Sequence, residues 1–243
     1  VASRRDVVIQ MGHVARRRGF TGTSGWGHTE QEFVRSVGAR LNAALRNSGF
    51  KSELIGADDP VPDSRVFMAL HQDGSTSSAA RGASVGYPDG AGGERIAQLW
   101  KAYYAKAGWP SGFRPDNYTP GLRRYYGFRR SSADAKFLIE HGFATNQHDQ
   151  RWMWDHLDEI ALVGLRTVTH FLRPQQPIDP SVGEEEDDMY TLIDTSLNKG
   201  WVVAGNKARP LSNLASWLAD WQGVTHSDDN MRYIVASLYQ EVS

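Results

Sequence analysis

Four side chains have types and settings that could do chemistry together. Val7-Val8-Ile9-Gln10-Met11-Gly12-His13 carries an apolar run into a histidine, and Val66-Phe67-Met68-Ala69-Leu70-His71 does so again. Glu30 opens a predicted helix, and Phe137-Leu138-Ile139-Glu140 delivers a second carboxylate just before an expected tight turn at His141-Gly142-Phe143. Two imidazoles and one carboxylate suit a zinc ion with an open fourth position, and a further carboxylate can move protons beside it. In α/β proteins such groups collect at the C-terminal edge of the sheet. The set therefore points to hydrolysis assisted by Zn2+, with His13, Glu30 and His71 as candidate ligands and Glu140 as the candidate acid–base group.

Regular elements must bring these groups together. Residues 6–11, 66–71 and 135–140 read as buried strands, and 83–87 as a short one. Thr29 is a suitable N-cap, with Glu32 three positions on completing a capping box. From Glu30 to about Asn47, Phe33, Val34, Val37, Leu41 and Leu45 make an apolar stripe at helical spacing, and Gly49 is a natural stop. Further helices are expected over 92–107 and 149–171. The segment 108–133 is loop-rich, its Trp, Phe and Tyr residues interrupted by Gly and Pro, and could wall a groove. The expected class is α/β, a mostly parallel or mixed central sheet flanked by helices, with a small C-terminal α+β appendage. Residues 1–173 would form the catalytic domain and 174–188 a linker. Pro174, Pro177 and Pro180 followed by Glu184-Glu185-Glu186-Asp187-Asp188 disfavour a packed core there. Residues 189–243 would form a small module, with hairpin strands at Tyr190–Ile193 and Trp201–Ala204 and a short helix over 211–221.

Composition closes off several classes. The chain has 243 residues and no cysteine, so any metal must be held by His, Asp or Glu, and thiol chemistry is excluded. An apolar fraction of 40% argues against disorder. No apolar run approaches the roughly 20 residues needed to cross a bilayer, and no signal-peptide apolar region is found, so stable membrane insertion is not expected. The net charge of −1 hides an asymmetry: residues 1–173 carry 23 basic against 17 acidic side chains, and residues 174–243 carry 4 against 11. The larger part could be drawn to an anionic polymer. With no nucleic-acid motif present, a cell-wall polymer is the better partner than nucleic acid.

At His13, Glu30, His71 and Glu140 the chain resembles the zinc-dependent N-acetylmuramoyl-L-alanine amidases of the amidase-3 type, over roughly residues 6–171. Gly12-His13 stands where that family ends its first strand in Gly-His, and Thr29-Glu30 stands where its metal-binding glutamate opens a helix. Glu140-His141-Gly142-Phe143-Ala144-Thr145-Asn146 meets every fixed position of the family's Glu-x-Gly-Phe-x-x-Asn pattern. Two departures stand out. Val14-Ala15-Arg16-Arg17-Arg18 replaces the usual glycine-rich continuation, and His71-Gln72-Asp73 replaces His, a small residue and Asn. The resemblance implies cleavage of the bond between N-acetylmuramic acid and L-alanine in bacterial peptidoglycan. The acidic linker and small tail resemble the modular layout of phage endolysins, which implies synthesis in the host cytoplasm and action at the wall after membrane disruption.

Other assignments stay open at this point. Asp73 could bond within the site or cap the Ser-rich loop after it. Arg123 and Arg124 could meet a substrate carboxylate or face solvent, and Asn146 could tie its loop through side-chain hydrogen bonds. His28, next but one to Glu30, could join it on the metal if the loop bends, whereas His141 should point away from Glu140 by strand alternation. A zinc peptidase or amidohydrolase acting on another peptide, or a non-catalytic wall-binding virion protein, would share the fold. The oligomeric state is not legible.

Overall fold

The computed structural model describes residues 3–173 and, further along, three strands between 189 and 210. The chain divides into two compact units, Val1–Gln176 and Pro177–Ser243.

The first unit begins with β1 (Arg5–Met11), a two-stranded hairpin of β2 (Ser24–Gly25) and β3 (His28–Thr29), and α1 (Glu30–Asn47). There follow β4 (Ser52–Ile55), β5 (Ser64–Asp73), β6 (Ser84–Gly86), α2 (Ala91–Lys106), α3 (Pro120–Arg123) and α4 (Tyr126–Arg130). The unit ends with β7 (Ala135–Phe143), α5 (Gln147–Asp155) and α6 (Leu157–Leu172). The central sheet has the order β4-β1-β5-β7-β6. Its first four strands are parallel and β6 runs antiparallel to β7, so the sheet is mixed, as expected. From β1 the chain goes outward to β4, and from β5 it goes the other way. The neighbours β1 and β5 thus flank the switch point, where an open α/β sheet leaves a crevice beyond its strand ends.

Alternation along each strand builds two cores. Val7, Ile9, Val66, Met68, Leu70, Phe137 and Ile139 face one side and pack with Phe33 and Leu41 of α1, Trp100 of α2 and Val168 of α6. The intervening Val8, Phe67, Ala69 and Leu138 face the other side and meet Leu122, Phe128 and Ala133 from the segment that contains α3 and α4. At about 1.5–3 kcal/mol for each large apolar side chain fully buried, these layers supply the main force holding the sheet in place. The start of α1 is fixed by Thr29, whose hydroxyl accepts from the Glu32 N–H at 3.2 Å while Glu32 accepts from the Thr29 N–H at 2.8 Å.

Three local expectations change. β5 and β7 run past His71 and Glu140, so these residues lie inside strands instead of ending them. Gly142 is not in a turn: it sits within β7 near a shift of register, at φ 153°, where a Cβ would come within 2.7 Å of the Trp109 ring. The single helix expected over 149–171 is divided at His156, whose ring stacks on Trp152 at 4.3 Å and bonds its carbonyl at 2.8 Å.

The second unit contributes an antiparallel sheet of β8 (Met189–Asp194), β9 (Lys199–Ala204) and β10 (Lys207–Pro210), in the order β10-β9-β8. β8 and β9 are the expected hairpin, and β10 is an addition. The linker over 174–188 and the helix over 211–221 lie outside the described residues. Among the described residues, no helix is long and apolar enough to cross a membrane.

Candidate active site

Each of the four chemical side chains reaches the crevice from a different element. β1 stops at Met11, and His13 lies in the turn beyond it at φ 58°, a left-handed conformation that costs a non-glycine residue energy and is commonest at functional turns. Glu30 comes from the first residue of α1, and His71 from β5. Glu140 comes from β7, directly opposite His71 in the strand register and on the same face of the sheet. Gly12 makes the close approach of β1 and β5 feasible. A Cβ there would stand 2.6 Å from the Leu70 carbonyl oxygen and would overlap the His71 ring.

His13, Glu30 and His71 converge, with one donor atom from each lying within 4.8 Å of the others. Glu30 Oε1 is 2.9 Å from His71 Nδ1 and 3.6 Å from His13 Nε2. The two imidazoles meet edge to face, with centroids 5.1 Å apart. Glu30 is buried and also accepts from the Thr23 N–H at 2.9 Å and the Gln72 N–H at 3.1 Å. Burial by itself would raise its pKa, but His71, His13 and the Thr23 N–H outweigh that and hold the carboxyl below its usual range. His13 Nδ1 bonds the Phe20 carbonyl at 2.9 Å. A carbonyl only accepts, so Nδ1 carries the proton and the Nε2 lone pair faces Glu30. Burial lowers the basicity of this ring despite the neighbouring carboxylate. Two imidazole nitrogens and a carboxylate oxygen converging on one point fit a zinc ion.

Glu140 is tuned in the opposite direction. Burial, followed by the charges of Glu30 and Asp73, raises its pKa well above the ordinary carboxylate value. Its Oε2 is shielded and has no hydrogen-bond partner among the described residues. This is a carboxyl group ready to take up a proton. The surrounding cleft has two adjoining lobes that share His13, Phe20, His71 and Glu140. One, of about 340 Å³, is lined also by Arg16, Thr119, Leu122, Tyr125 and Tyr126. The other, of about 430 Å³, is lined also by Thr23, Asp73, Gly74 and Thr145.

The remaining candidates fall in different places. Asp73 accepts from both the Gly74 N–H and the Tyr118 hydroxyl, so it caps its own loop and binds across the cleft. Asn146 caps α5, accepting from the His148 and Asp149 N–H groups at 3.1 Å each and donating to the Ser78 carbonyl at 2.7 Å. Arg123 pairs with exposed Asp89, and neither it nor exposed Arg124 lines the two lobes. The arginine that does is Arg16, which lies over the Tyr126 ring at 4.6 Å and is 3.7 Å from Asp58. His28 stacks on Trp154 at 4.0 Å instead of joining the cluster. His141 points to the opposite face of the sheet from Glu140, buried against Phe33, Trp100 and Tyr104. Sequence reasoning missed Gln10 and Tyr125: Tyr125 bonds His71 Nε2 at 3.0 Å and donates to Gln10 Oε1 at 2.8 Å.

Comparisons with known proteins place this geometry. The sequence model of the N-acetylmuramoyl-L-alanine amidases matches residues 7–162. Among solved structures, the chain is similar to the N-acetylmuramoyl-L-alanine amidase AmiC2 of Nostoc punctiforme, with a TM-score of 0.57, 19% identity and coverage of 71% of this chain and 99% of that one. It is also similar to the amidase Ami1 of Mycobacterium smegmatis, with a TM-score of 0.54, 19% identity and coverage of 71% and 100%. The catalytic domain of CD27L endolysin targeting Clostridia difficile gives a TM-score of 0.52 at 16% identity, covering 69% of this chain and 98% of that one. A search of curated proteins gives no match. At these identities the solved structures establish the fold, and the family match over well over half of the sequence establishes the kinship: the chain belongs to the N-acetylmuramoyl-L-alanine amidase family, enzymes that act on peptidoglycan.

Proposed function

We propose that this amidase is zinc-dependent, that His13, Glu30 and His71 hold the metal, and that Glu140 is its acid–base residue. The observation that carries the reading is positional. Three donor atoms converge within 4.8 Å, and the strand register sets the proton-hungry Glu140 directly beside one of them. When bound, zinc supplies Lewis acidity to a water molecule and to the amide carbonyl.

The chain's own groups do the rest. Glu140 takes a proton from the attacking water as its oxygen adds to the lactyl carbonyl carbon of N-acetylmuramic acid. The same carboxyl then hands that proton to the departing nitrogen of L-alanine as the C–N bond breaks, leaving a free amine and a carboxylic acid whose remaining proton passes to the amine or to solvent. A raised pKa suits both steps, because the group must hold the proton between them. Arg16, Tyr126 and Thr119 line the lobe in which the substrate flanking the scissile bond would lie. We further propose a phage endolysin's setting, with synthesis in the host cytoplasm and action at the wall once the membrane is breached. The acidic, proline-containing stretch after the catalytic unit and the likeness to an endolysin catalytic domain support it.

Mass spectrometry of peptidoglycan digested by zinc-loaded protein tests the central reading. Intact glycan strands released together with peptides beginning at a free L-alanine amine are expected, and a Glu140→Gln variant should release neither. Undigested peptidoglycan in the presence of zinc-loaded protein would refute the reading in favour of another peptide substrate or a wall-binding role.

A further inference from the structure

We infer that Tyr125 and Gln10 are positioning residues that decide which nitrogen of His71 faces the metal; this rests on the metal reading above. The polarity of their hydrogen-bond chain is set at its far end. The Ala57 carbonyl can only accept, so the fully buried Gln10 side chain turns its Nε2 amino group there, at 3.1 Å, and its Oε1 toward Tyr125. That amide oxygen can also only accept, so the Tyr125 hydroxyl gives it its single proton, at 2.8 Å. The Tyr125 oxygen is left as an acceptor for His71 Nε2 at 3.0 Å, and Nε2 must therefore carry the ring proton.

An imidazole protonated on Nε2 keeps its lone pair on Nδ1, the atom 2.9 Å from Glu30 Oε1. His13 reaches the complementary state by a different route, since the Phe20 carbonyl takes its Nδ1 proton and frees Nε2. With a cation bound in place of any proton shared with Glu30, these two nitrogen lone pairs and the carboxylate would all face the metal. The anchoring carbonyl of Ala57 is itself held by Tyr126 at 2.8 Å and Arg130 at 3.0 Å. The segment that walls the cleft is in this way coupled to the metal site, and Tyr125 serves both.

Outer partners that fix a ligand's tautomer are commonly worth 10–100-fold in metal affinity. The test measures zinc affinity of the full chain by chelator competition, alongside 15N-histidine spectra of the zinc-loaded protein. The wild type should show a slowly exchanging Nε2 proton on His71. Tyr125→Phe should lose that signal and bind zinc about 10–100-fold more weakly, while the metal-free variant unfolds within a few degrees of the wild type. Gln10→Leu should weaken zinc similarly, and the double variant should be no weaker than either single one, because both cut one chain. Should Gln10→Leu not fold, the wild-type spectrum and Tyr125→Phe decide by themselves. A His71 proton on Nδ1 in the zinc protein, or wild-type affinity in Tyr125→Phe, overturns the inference. Failure of the wild type to bind zinc at all is a different result, which sinks the metal reading and this inference with it.

Discussion

His141 should make the stability of this protein fall on mild acidification. Its ring is 1% exposed, enclosed by Phe33, Trp100 and Tyr104, with Nδ1 donating to the His71 carbonyl at 3.1 Å. Burial is the main cause that lowers its pKa from 6.5 to about 4. In the unfolded chain the imidazole takes a proton near pH 6.5, while in the folded chain it stays neutral down to about pH 4. The unfolded state therefore binds more protons throughout that window, and stability decreases as pH falls through it. At about 1.36 kcal/mol per pKa unit, the difference of roughly 2.5 units gives a loss of about 3 kcal/mol, complete near pH 4 and absent above pH 7. Urea unfolding of the full chain in chelator, which removes metal release as a second source of pH dependence, would measure it. Wild type should be compared with His141→Asn, which keeps an N–H donor at that position and cannot titrate. The wild type's advantage over the variant should shrink by about 3 kcal/mol between pH 7.5 and 4. Parallel stability curves for the two proteins would refute the account of a neutral, buried His141.

Glu140→Gln should separate activity from stability. We expect turnover to drop by about 10²–10⁴-fold, while the thermal midpoint of the metal-free protein rises at neutral pH, because an ionised carboxylate in that setting is unfavourable. Since its folded pKa is raised, that cost is absent below the ordinary carboxylate range and appears as pH rises, so the variant's advantage should vanish in acid. An unchanged or lower midpoint at pH 8 would count against the pKa assignment. Gly12→Ala should push on the His71 ring and the Leu70 carbonyl, costing about 1–3 kcal/mol in urea unfolding and weakening zinc retention in dialysis. Zinc retained as in the wild type would show that the crevice can widen at no cost. Asn146→Ala removes the cap of α5 and the tie to Ser78, and should cost about 1 kcal/mol of stability. Dialysis against a chelator should abolish hydrolysis and added zinc restore it, while activity that survives chelation would argue for metal-independent chemistry.

Most of the scaffold was legible because its signals are local. Near-continuous apolar runs in 66–71 and 135–140 mark strands buried on both faces, the stripe from Phe33 to Leu45 states which face of α1 is buried, and the Thr29–Glu32 capping box marks where α1 begins. The positions of the strand ends were not legible. The apolar runs stop before His71 and Glu140, yet both strands continue, because pairing between β5 and β7 extends the ladder through polar residues that line the crevice. The break between α5 and α6 escaped for a related reason, since nothing in the apolar spacing announces that His156 will fold back on Trp152.

The same division runs through the site. His13 and Glu140 could be picked out where an apolar run meets a glycine-bearing segment, His71 where an apolar run turns polar, and Glu30 beside a helix cap. Their supporting partners carry no such mark. Gln10 reads as one polar residue in a buried strand, and Tyr125 as one aromatic ring among many in a loop expected to wall a groove. They meet because β1 and β5 are adjacent and because the α3–α4 segment covers that face of the sheet. Arg16 shows the converse: its triplet looked like a loss of the usual glycine-rich loop, and the structure turns it into part of the cleft wall through Tyr126 and Asp58. Which residue types gather at the site follows from chemical type and local context, whereas their tautomers, burial and acidity are set by contacts distant in sequence. Substitutions at Gln10, Tyr125 and Arg16 therefore probe those long-range contacts more sharply than substitutions at the four residues whose types were readable from the start.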